Sequence, residues 1–241
     1  MIATLVNITL RALLNRRRTL LLALIGVLLV LATMLYRLGA PSDAESLDVT
    51  RQLLGDFGLA VLLPLVAVIV GTAAIGSELD DGTIVYLLAK PIPRRLIVLV
   101  KLVVAWLVVV LLVTPAIAVA GLIGHPDVSM AIGYAGAATF AALEYTAVFL
   151  ALSLVTSRAL IVGLAYVVVW EGVVAGLFAG TRVLSVRQHA LAVAEALGGD
   201  AAAGAELSVG VGLAVGLAVT VLATLLAVRR LERVELRGET T

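Results

Sequence analysis

The sequence contains no cysteine, only two histidines and few charged residues. Without cysteine, the chain has no disulfide, no thiolate metal site and no cysteine nucleophile. Charged residues make up 14% of the chain, whereas about a quarter of a soluble domain is charged. Hydrophobic residues make up 62%, and the mean hydropathy is +1.17. This balance predicts an integral membrane protein.

Several motifs of soluble enzymes and nucleic-acid binders are also missing. The dipeptide Gly-Lys never occurs, which excludes a G-x4-G-K-[ST] phosphate loop, and there is no H-E-x-x-H zinc motif. His125 and His189 lie outside the long apolar runs, where a lone histidine is expected to be solvated. The basic residues lie at the ends of apolar runs without interleaved aromatics, which argues against a nucleic-acid partner. We therefore expect no catalysis and no bound metal or cofactor in this chain.

Six apolar runs are long enough to cross a bilayer as helices, which takes roughly 20 residues. They cover residues 19–36, 57–77, 102–124, 128–156, 159–180 and 207–228. The runs are continuous, whereas the strands of a membrane β-barrel alternate polar and apolar residues. The sequence therefore predicts an all-α polytopic membrane protein with one transmembrane domain, residues 1–241.

Two further segments have the spacing of amphipathic helices. In residues 1–18, apolar residues recur every three or four positions and are followed by an arginine cluster, which predicts a helix in the membrane interface. The segment 181–206 is too polar to cross the membrane. Its apolar stripe predicts a helix that lies on the outer surface or dips into the bilayer: Val183, Val186, Ala190, Val193 and Leu197.

Lysine and arginine are distributed unequally between the two predicted sides of the membrane. Of the 17, only Arg37, Arg51, Arg182 and Arg187 fall on one side. Because cytoplasmic loops carry the excess of positive residues, both termini and the segment 78–101 are predicted to face the cytoplasm. The predicted location is the cytoplasmic (inner) membrane.

Residues 78–101, which we call the coupling loop, separate the second and third predicted spans and hold three acids and four bases. Acids favour a helix N-terminus, and proline stops a helix because it removes a donor and clashes with the preceding turn. The loop is therefore expected to form a short helix that offers a docking surface. Its parts are two acids, a turn, an apolar face and a proline stop: Asp80, Asp81, Gly82, Thr83, Ile84, Leu87, Leu88 and Pro91.

The loop contains the pattern Glu-x3-Gly-Thr-x3-Leu-Leu-x2-Pro-x2-Arg-x6-Lys, which resembles the cytoplasmic signature of type-2 ABC-exporter permeases. It is carried by Glu78, Gly82, Thr83, Leu87, Leu88, Pro91, Arg94 and Lys101. Leu79 stands where the family often has arginine. The order of spans and flanking helices is also similar to that family, which includes permeases of the copper-enzyme-maturation and drug-export groups.

The resemblance implies a membrane subunit that pairs with a second copy and with two ABC-type ATP-binding subunits. Those subunits would bind ATP and Mg and supply the hydrolysis that this chain lacks. The coupling loop would be their docking site, through Glu78, Asp80, Asp81, Gly82, Thr83, Leu87, Leu88, Pro91, Arg94 and Lys101. In such permeases the dimer contact tends to involve spans one and five.

Two carboxylates interrupt the apolar runs, Glu144 in the fourth and Glu171 in the fifth. A charge at the bilayer centre costs at least ~2.5–3.5 kcal/mol, so both are expected to face the bundle interior. They mark either a polar or proton-linked position in a translocation path or a structural hydrogen bond, for example to Tyr145, Thr146 or Tyr166. A proton-coupled secondary transporter that uses both acids is the alternative function, although no inverted repeat supports it. A non-transporting scaffold is a third class.

Glycines repeat every fourth residue in the last two apolar runs, at Gly172, Gly176 and Gly180 and at Gly212 and Gly216. Small residues at this spacing let helices approach closely. We expect these glycines to pack within one subunit rather than between two.

Overall fold

The computed structural model of the chain describes residues 2–14, 16–39, 42–85, 92–202 and 204–233. Of the residues in these ranges, 89% are helical, and none is in a strand. The helices, in chain order, are α1 (Ile2–Leu13), α2 (Arg16–Leu38), α3 (Asp43–Asp80), α4 (Arg94–Gly124), α5 (Val128–Ser153), α6 (Ala159–Leu177), α7 (Val186–Gly198) and α8 (Val209–Glu232). Helices α3 and α6 each contain a π-helical segment, Leu53–Leu62 and Tyr166–Val174.

Within the described ranges, six helices are long and apolar enough to span a membrane, namely α2, α3, α4, α5, α6 and α8. The predicted all-α fold with six spans is therefore confirmed, and the chain is a multi-pass membrane protein. We call the end of the bundle that carries Asp80 and Arg94 the loop end. The opposite end, which carries Gly124 and Val128, is the far end.

Helix α3 begins earlier than the sequence patterning predicts. The predicted spans 19–36 and 57–77 leave residues 37–56 between them as a loop, but α3 starts at Asp43 and runs for 38 residues. A capping box starts it, because the Ser42 side chain accepts a hydrogen bond from the Glu45 backbone N–H and the Glu45 carboxylate accepts one from Ser42. The helix therefore has a polar first part, which apolar periodicity alone does not detect.

Helix α5 is the centre of the bundle and packs against α3, α4, α7 and α8. Small residues make these contacts close. A Cβ placed on Gly71 of α3 would lie 3.0 Å from Phe149, and one on Gly121 of α4 would lie 2.9 Å from the Ala131 backbone. Alanines form much of the buried face of α5, so neighbouring backbones approach it on several sides.

The outer helices α2, α6 and α8 leave most of their apolar surface exposed. The glycine prediction is correct for α8, because Gly212 faces Ala192 and His189, and Gly216 faces Phe140 and Glu144. The prediction is wrong for the three glycines of the fifth predicted span, residues 159–180, which do not pack against other helices within the described part of this chain. Cβ atoms on Gly176 and Gly180 would meet nothing within 4 Å, and one on Gly172 would meet only the Val167 carbonyl of its own helix.

Helix α1 forms where the amphipathic spacing predicts it, within residues 1–18. Leu5, Thr9 and Leu13 form its buried side, and this helix packs mainly against α4.

Helix α7 forms in the predicted polar segment and enters the bundle instead of lying on its surface. Its last residue, Gly198, packs against Gly133 and the Ser129 carbonyl at the far end of α5. Its first residue, Val186, donates a hydrogen bond to Glu171 inside α6. Of the predicted stripe, Val183 and Leu197 are exposed, whereas the unpredicted His189 is fully buried.

The close contact between α5 and α7 gives a stability prediction. A Cβ on Gly133 would lie 2.6 Å from the Ala194 carbonyl oxygen, so Gly133→Ala should push α7 outward and cost about 1–3 kcal/mol. Gly210→Ala is the matched control, because nothing lies within 4 Å of its Cβ position and alanine favours helix by up to about 1 kcal/mol. Thermal unfolding in detergent measures both. Equal stability of the two variants would contradict this packing.

Candidate functional site

The coupling loop leaves α3 through a glycine turn. The Asp81 N–H donates to the Ser77 carbonyl and the Gly82 N–H donates to the Leu79 carbonyl. Gly82 has φ +68°, a left-handed conformation that glycine adopts without strain and that commonly ends helices. A new helical turn begins at Ile84. Leu87, Leu88 and Pro91 lie outside the described residues.

An ion pair joins the two spans at the base of the coupling loop. The Lys101 Nζ lies 2.7 Å from the Glu78 Oε1 and donates a second hydrogen bond to the Ala74 carbonyl at 2.7 Å. The Lys101 side chain is only 1% exposed and that of Glu78 is 18% exposed. A buried charge that loses its partner is strongly destabilising. The pair therefore fixes α3 against α4 where the loop begins and ends.

Arg94 attaches the other end of the loop to the last span. Its Nη1 donates to the Leu231 carbonyl at 2.8 Å and to the Glu232 carbonyl, which lack partners within α8 because they belong to its final turn. The neighbouring Arg95 forms a weaker, exposed ion pair with the Glu232 carboxylate at 3.8 Å.

The predicted docking residues that the structure describes thus divide into two groups. Glu78, Arg94 and Lys101 bind other parts of this chain. The side chains of Asp80, Asp81 and Thr83 are exposed, and so is Gly82 between them. The docking role of both groups stays a prediction.

A polar cluster lies near the middle of the bundle, around Glu144 of α5. The His189 Nδ1 is 3.0 Å and 3.1 Å from the two carboxylate oxygens of Glu144, and its Nε2 is 2.8 Å from the Val183 carbonyl oxygen. Because a carbonyl only accepts hydrogen bonds, Nε2 carries a proton. A further proton must then lie between Nδ1 and Glu144. The expectation that His189 is solvated is wrong, since it is fully buried.

Glu171 lies in the π-helical part of α6 and caps α7. Its carboxylate accepts hydrogen bonds from the Val186 N–H at 2.8 Å, the Ser185 hydroxyl at 2.6 Å and the Tyr166 hydroxyl at 3.2 Å. A carboxylate is favourable at a helix N-terminus because the helix dipole is positive there. Helices α5 and α6 therefore each supply a carboxylate that binds the segment containing the first turn of α7.

Aromatic side chains connect the same helices. The rings of Tyr145 and Phe149 stack with centroids 5.8 Å apart, and Phe149 meets Tyr166 edge-on at 6.2 Å. Of the hydrogen-bond partners that the sequence suggested for the two acids, Tyr166 is observed. The Thr146 hydroxyl is buried and has no hydrogen-bond partner in the described part of the chain.

The far end carries ion pairs for each of the four arginines predicted on that side. Arg37 pairs with Asp43, Arg51 with Asp48, Arg182 with Glu206 and Arg187 with Asp56. Among the described residues, no group of three or more His, Asp or Glu side chains is placed to hold a metal ion.

A family model described as "ABC-2 family transporter protein" matches residues 14–188. The chain belongs to this family. The match covers the coupling loop, Glu144 and Glu171, and it extends into the first turn of α7. This family provides membrane components of ABC transporters, and membership implies association with ABC ATP-binding subunits. A search of curated proteins finds no match.

The Lys101–Glu78 pair can be tested by a double-mutant cycle. Lys101→Met leaves the Glu78 carboxylate without its partner and should cost about 3 kcal/mol. Glu78→Leu combined with Lys101→Met should recover most of that loss, because no uncompensated charge remains. Arg95→Met is the control, since its exposed pair should contribute less than about 1 kcal/mol. Denaturant unfolding in micelles gives the values, and strictly additive effects would contradict the pairing.

The capping role of Glu171 can be tested by hydrogen exchange. Glu171→Leu should speed exchange at the first amides of α7, because the Val186 N–H loses its acceptor. Glu171→Gln should exchange more slowly than the leucine variant, since an amide oxygen still accepts.

Glu195→Leu is the control for this experiment. The Glu195 carboxylate accepts hydrogen bonds from Gly204 and Ala205 beyond the other end of α7. Its loss should change exchange there and leave Val186 as in the unmodified chain. Unchanged exchange at Val186 in the Glu171→Leu variant would show that the cap does not hold α7.

Proposed function

We propose that this chain is the permease subunit of an ATP-driven exporter. Two copies associate with two ABC-type ATP-binding subunits, which hold ATP and Mg. Closure of those subunits on ATP, and their opening after hydrolysis, drives the two permease copies between inward-open and outward-open states. The observation that carries this proposal is the construction of the coupling loop, an exposed turn between two fixed ends, in a chain of the ABC-2 family.

A loop transmits force only when its ends cannot move independently of the spans. The Lys101–Glu78 pair fixes α3 to α4, and Arg94 holds the end of α8. The turn Asp81–Thr83 projects from this frame with exposed side chains. A partner that binds the turn would therefore move three spans together, which supports a lever and not merely a solvated connection.

The distribution of charge supports a cytoplasmic loop end. Of the 17 lysines and arginines, only four are predicted at the far end, and each of these four has a carboxylate partner. The order of the spans in the sequence assigns the other lysines and arginines to the side of the loop end, and cytoplasmic loops carry the excess of positive residues. We infer that both termini lie in the cytoplasm and that the membrane is the inner membrane.

The exposed outer helices support a homodimer. Open space lies beside Gly176 of α6 and beside Gly180 just after its end, and the apolar residues of α2 are largely exposed. Small residues on a lipid-facing helix allow close approach of a second helix. We propose that α2 and α6 meet their copies in a second subunit.

The buried acids fit a structural role better than a proton-coupled secondary transporter. Glu144 and Glu171 each have hydrogen-bond partners in the first turn of α7. In the proposed exporter they hold α7 in position, and ATP supplies the energy.

The docking claim is tested by co-purification of ATPase activity. The tagged chain is isolated from its native membranes, and magnesium-dependent ATP hydrolysis is measured in the eluate. Asp81→Arg should lower co-purified hydrolysis about tenfold, because it places the wrong charge at a close contact. Asp200→Arg is the control, an exposed acid near the far end, and should leave hydrolysis unchanged.

Two results would contradict the exporter. One is equal co-purified hydrolysis in both variants and the unmodified chain. The other is substrate movement by the purified chain alone in liposomes, driven by an ion gradient without any nucleotide-hydrolysing subunit.

A further inference from the structure

A cavity of about 430 Å³ opens at the loop end between α3, the end of α5 and the beginning of α6. Its wall is mostly apolar, with Ile69, Ala73 and Leu160 among the lining residues. The polar side chains among the lining residues are the hydroxyls of Thr72, Ser77, Ser153, Thr156 and Ser157 and the carboxylate of Asp80. Neither the coupling loop's frame nor the polar cluster around Glu144 uses this space.

Three of the five hydroxyl groups present only oxygen lone pairs to the cavity. Thr72 donates its hydroxyl hydrogen to the Val68 carbonyl, Ser77 to the Ala73 carbonyl and Ser153 to the Leu150 carbonyl. A hydroxyl has one hydrogen to donate and two lone pairs that accept. These three side chains can therefore only accept hydrogen bonds from a bound molecule.

The charge around the cavity also favours a ligand that donates hydrogen bonds and is positively charged. The Asp80 carboxylate is exposed and makes no hydrogen bond or ion pair within the described part of the chain. The C-terminal ends of α3 and α5 border the cavity with their negative dipole ends. The N-terminus of α6 has the opposite dipole, but one helix N-terminus is outweighed by two C-termini and a full negative charge. Arg158 does not line the cavity.

We propose that this cavity binds a primary ammonium group attached to an apolar body. Its three N–H donors match the hydroxyls of Thr72, Ser77 and Ser153, which can only accept, and its positive charge matches Asp80. The alkyl part lies along Ile69, Ala73 and Leu160. Two sources share this chemistry, a soluble cationic amphiphile and the ethanolamine headgroup of a lipid. If the occupant is the exporter's cargo, that part of the inference depends on the proposed function, whereas binding itself does not.

The test measures binding to the full chain alone, in nanodiscs of phosphatidylcholine. Radiolabelled decylammonium is the probe, and empty nanodiscs give the partitioning background. Decyltrimethylammonium has the same charge without N–H donors, and decanol has no charge. Decylammonium should bind at least about fivefold more tightly than either competitor, because hydrogen bonds between charged and neutral groups exceed 1 kcal/mol.

Variants identify the site. Asp80→Asn should weaken decylammonium about fivefold, the value expected for one exposed charge pair. Asp81→Asn is the matched control, because this adjacent exposed acid does not line the cavity, and it should leave probe binding unchanged. Ala73→Phe fills the cavity and should abolish binding. Asp80→Asn keeps the test decisive if the phenylalanine variant does not fold.

Nanodiscs with half phosphatidylethanolamine distinguish the two sources. Loss of probe binding there would identify the lipid headgroup as the occupant, and unchanged binding would identify a soluble amphiphile; both support the ammonium site. Two results would overturn the ammonium site. One is displacement of the probe by decanol as effective as that by unlabelled decylammonium. The other is equal affinity of the Asp80→Asn and Asp81→Asn variants for the probe. Because no ATPase is present, these results are independent of whether the coupling loop docks one.

Discussion

The carboxylates of Glu144 and Glu171 lie inside a bundle that hydrocarbon surrounds, and the first turn of α7, with the residue before it, supplies partners for both. His189 faces Glu144, while Ser185 and the Val186 N–H face Glu171. Unsatisfied charge is costly in this environment, so α7 cannot lie on the surface without exposing two buried acids. The position of α7 inside the bundle therefore follows from the need to pair these two acids, and the small residues of α5 leave space for the helix.

At the loop end, too, charged groups are held by partners from other helices, although the residues are different. Lys101 is buried because Glu78 and the Ala74 carbonyl surround its ammonium, and the guanidinium of Arg94 meets carbonyls that α8 cannot satisfy itself. Each contact joins elements far apart in sequence. The result is a stiff base under an exposed turn, whereas a flexible connection would absorb any push before it reached the spans.

The sequence predicted the six spans because continuous apolar runs need no long-range information. The sequence also predicted that Glu144 and Glu171 face the bundle interior, because an acid within a membrane span is too costly to place against lipid. It did not predict that His189 would be buried, because the partner lies 45 residues away and no spacing rule reaches that far. The apolar stripe in residues 181–206 pointed to a helix but omitted its most important buried residue. The early start of α3 was detectable, because Ser42 and Glu45 have the spacing of a capping box.

The guanidinium of Arg94 has a consequence for the sixth span as well. This guanidinium donates hydrogen bonds to the last carbonyls of α8. A movement of the start of α4, where Arg94 lies, would therefore change the geometry of the final turn of α8. A movement of the coupling loop can therefore reach the end of α8 directly through this contact, without passing along the membrane-spanning parts of the helices.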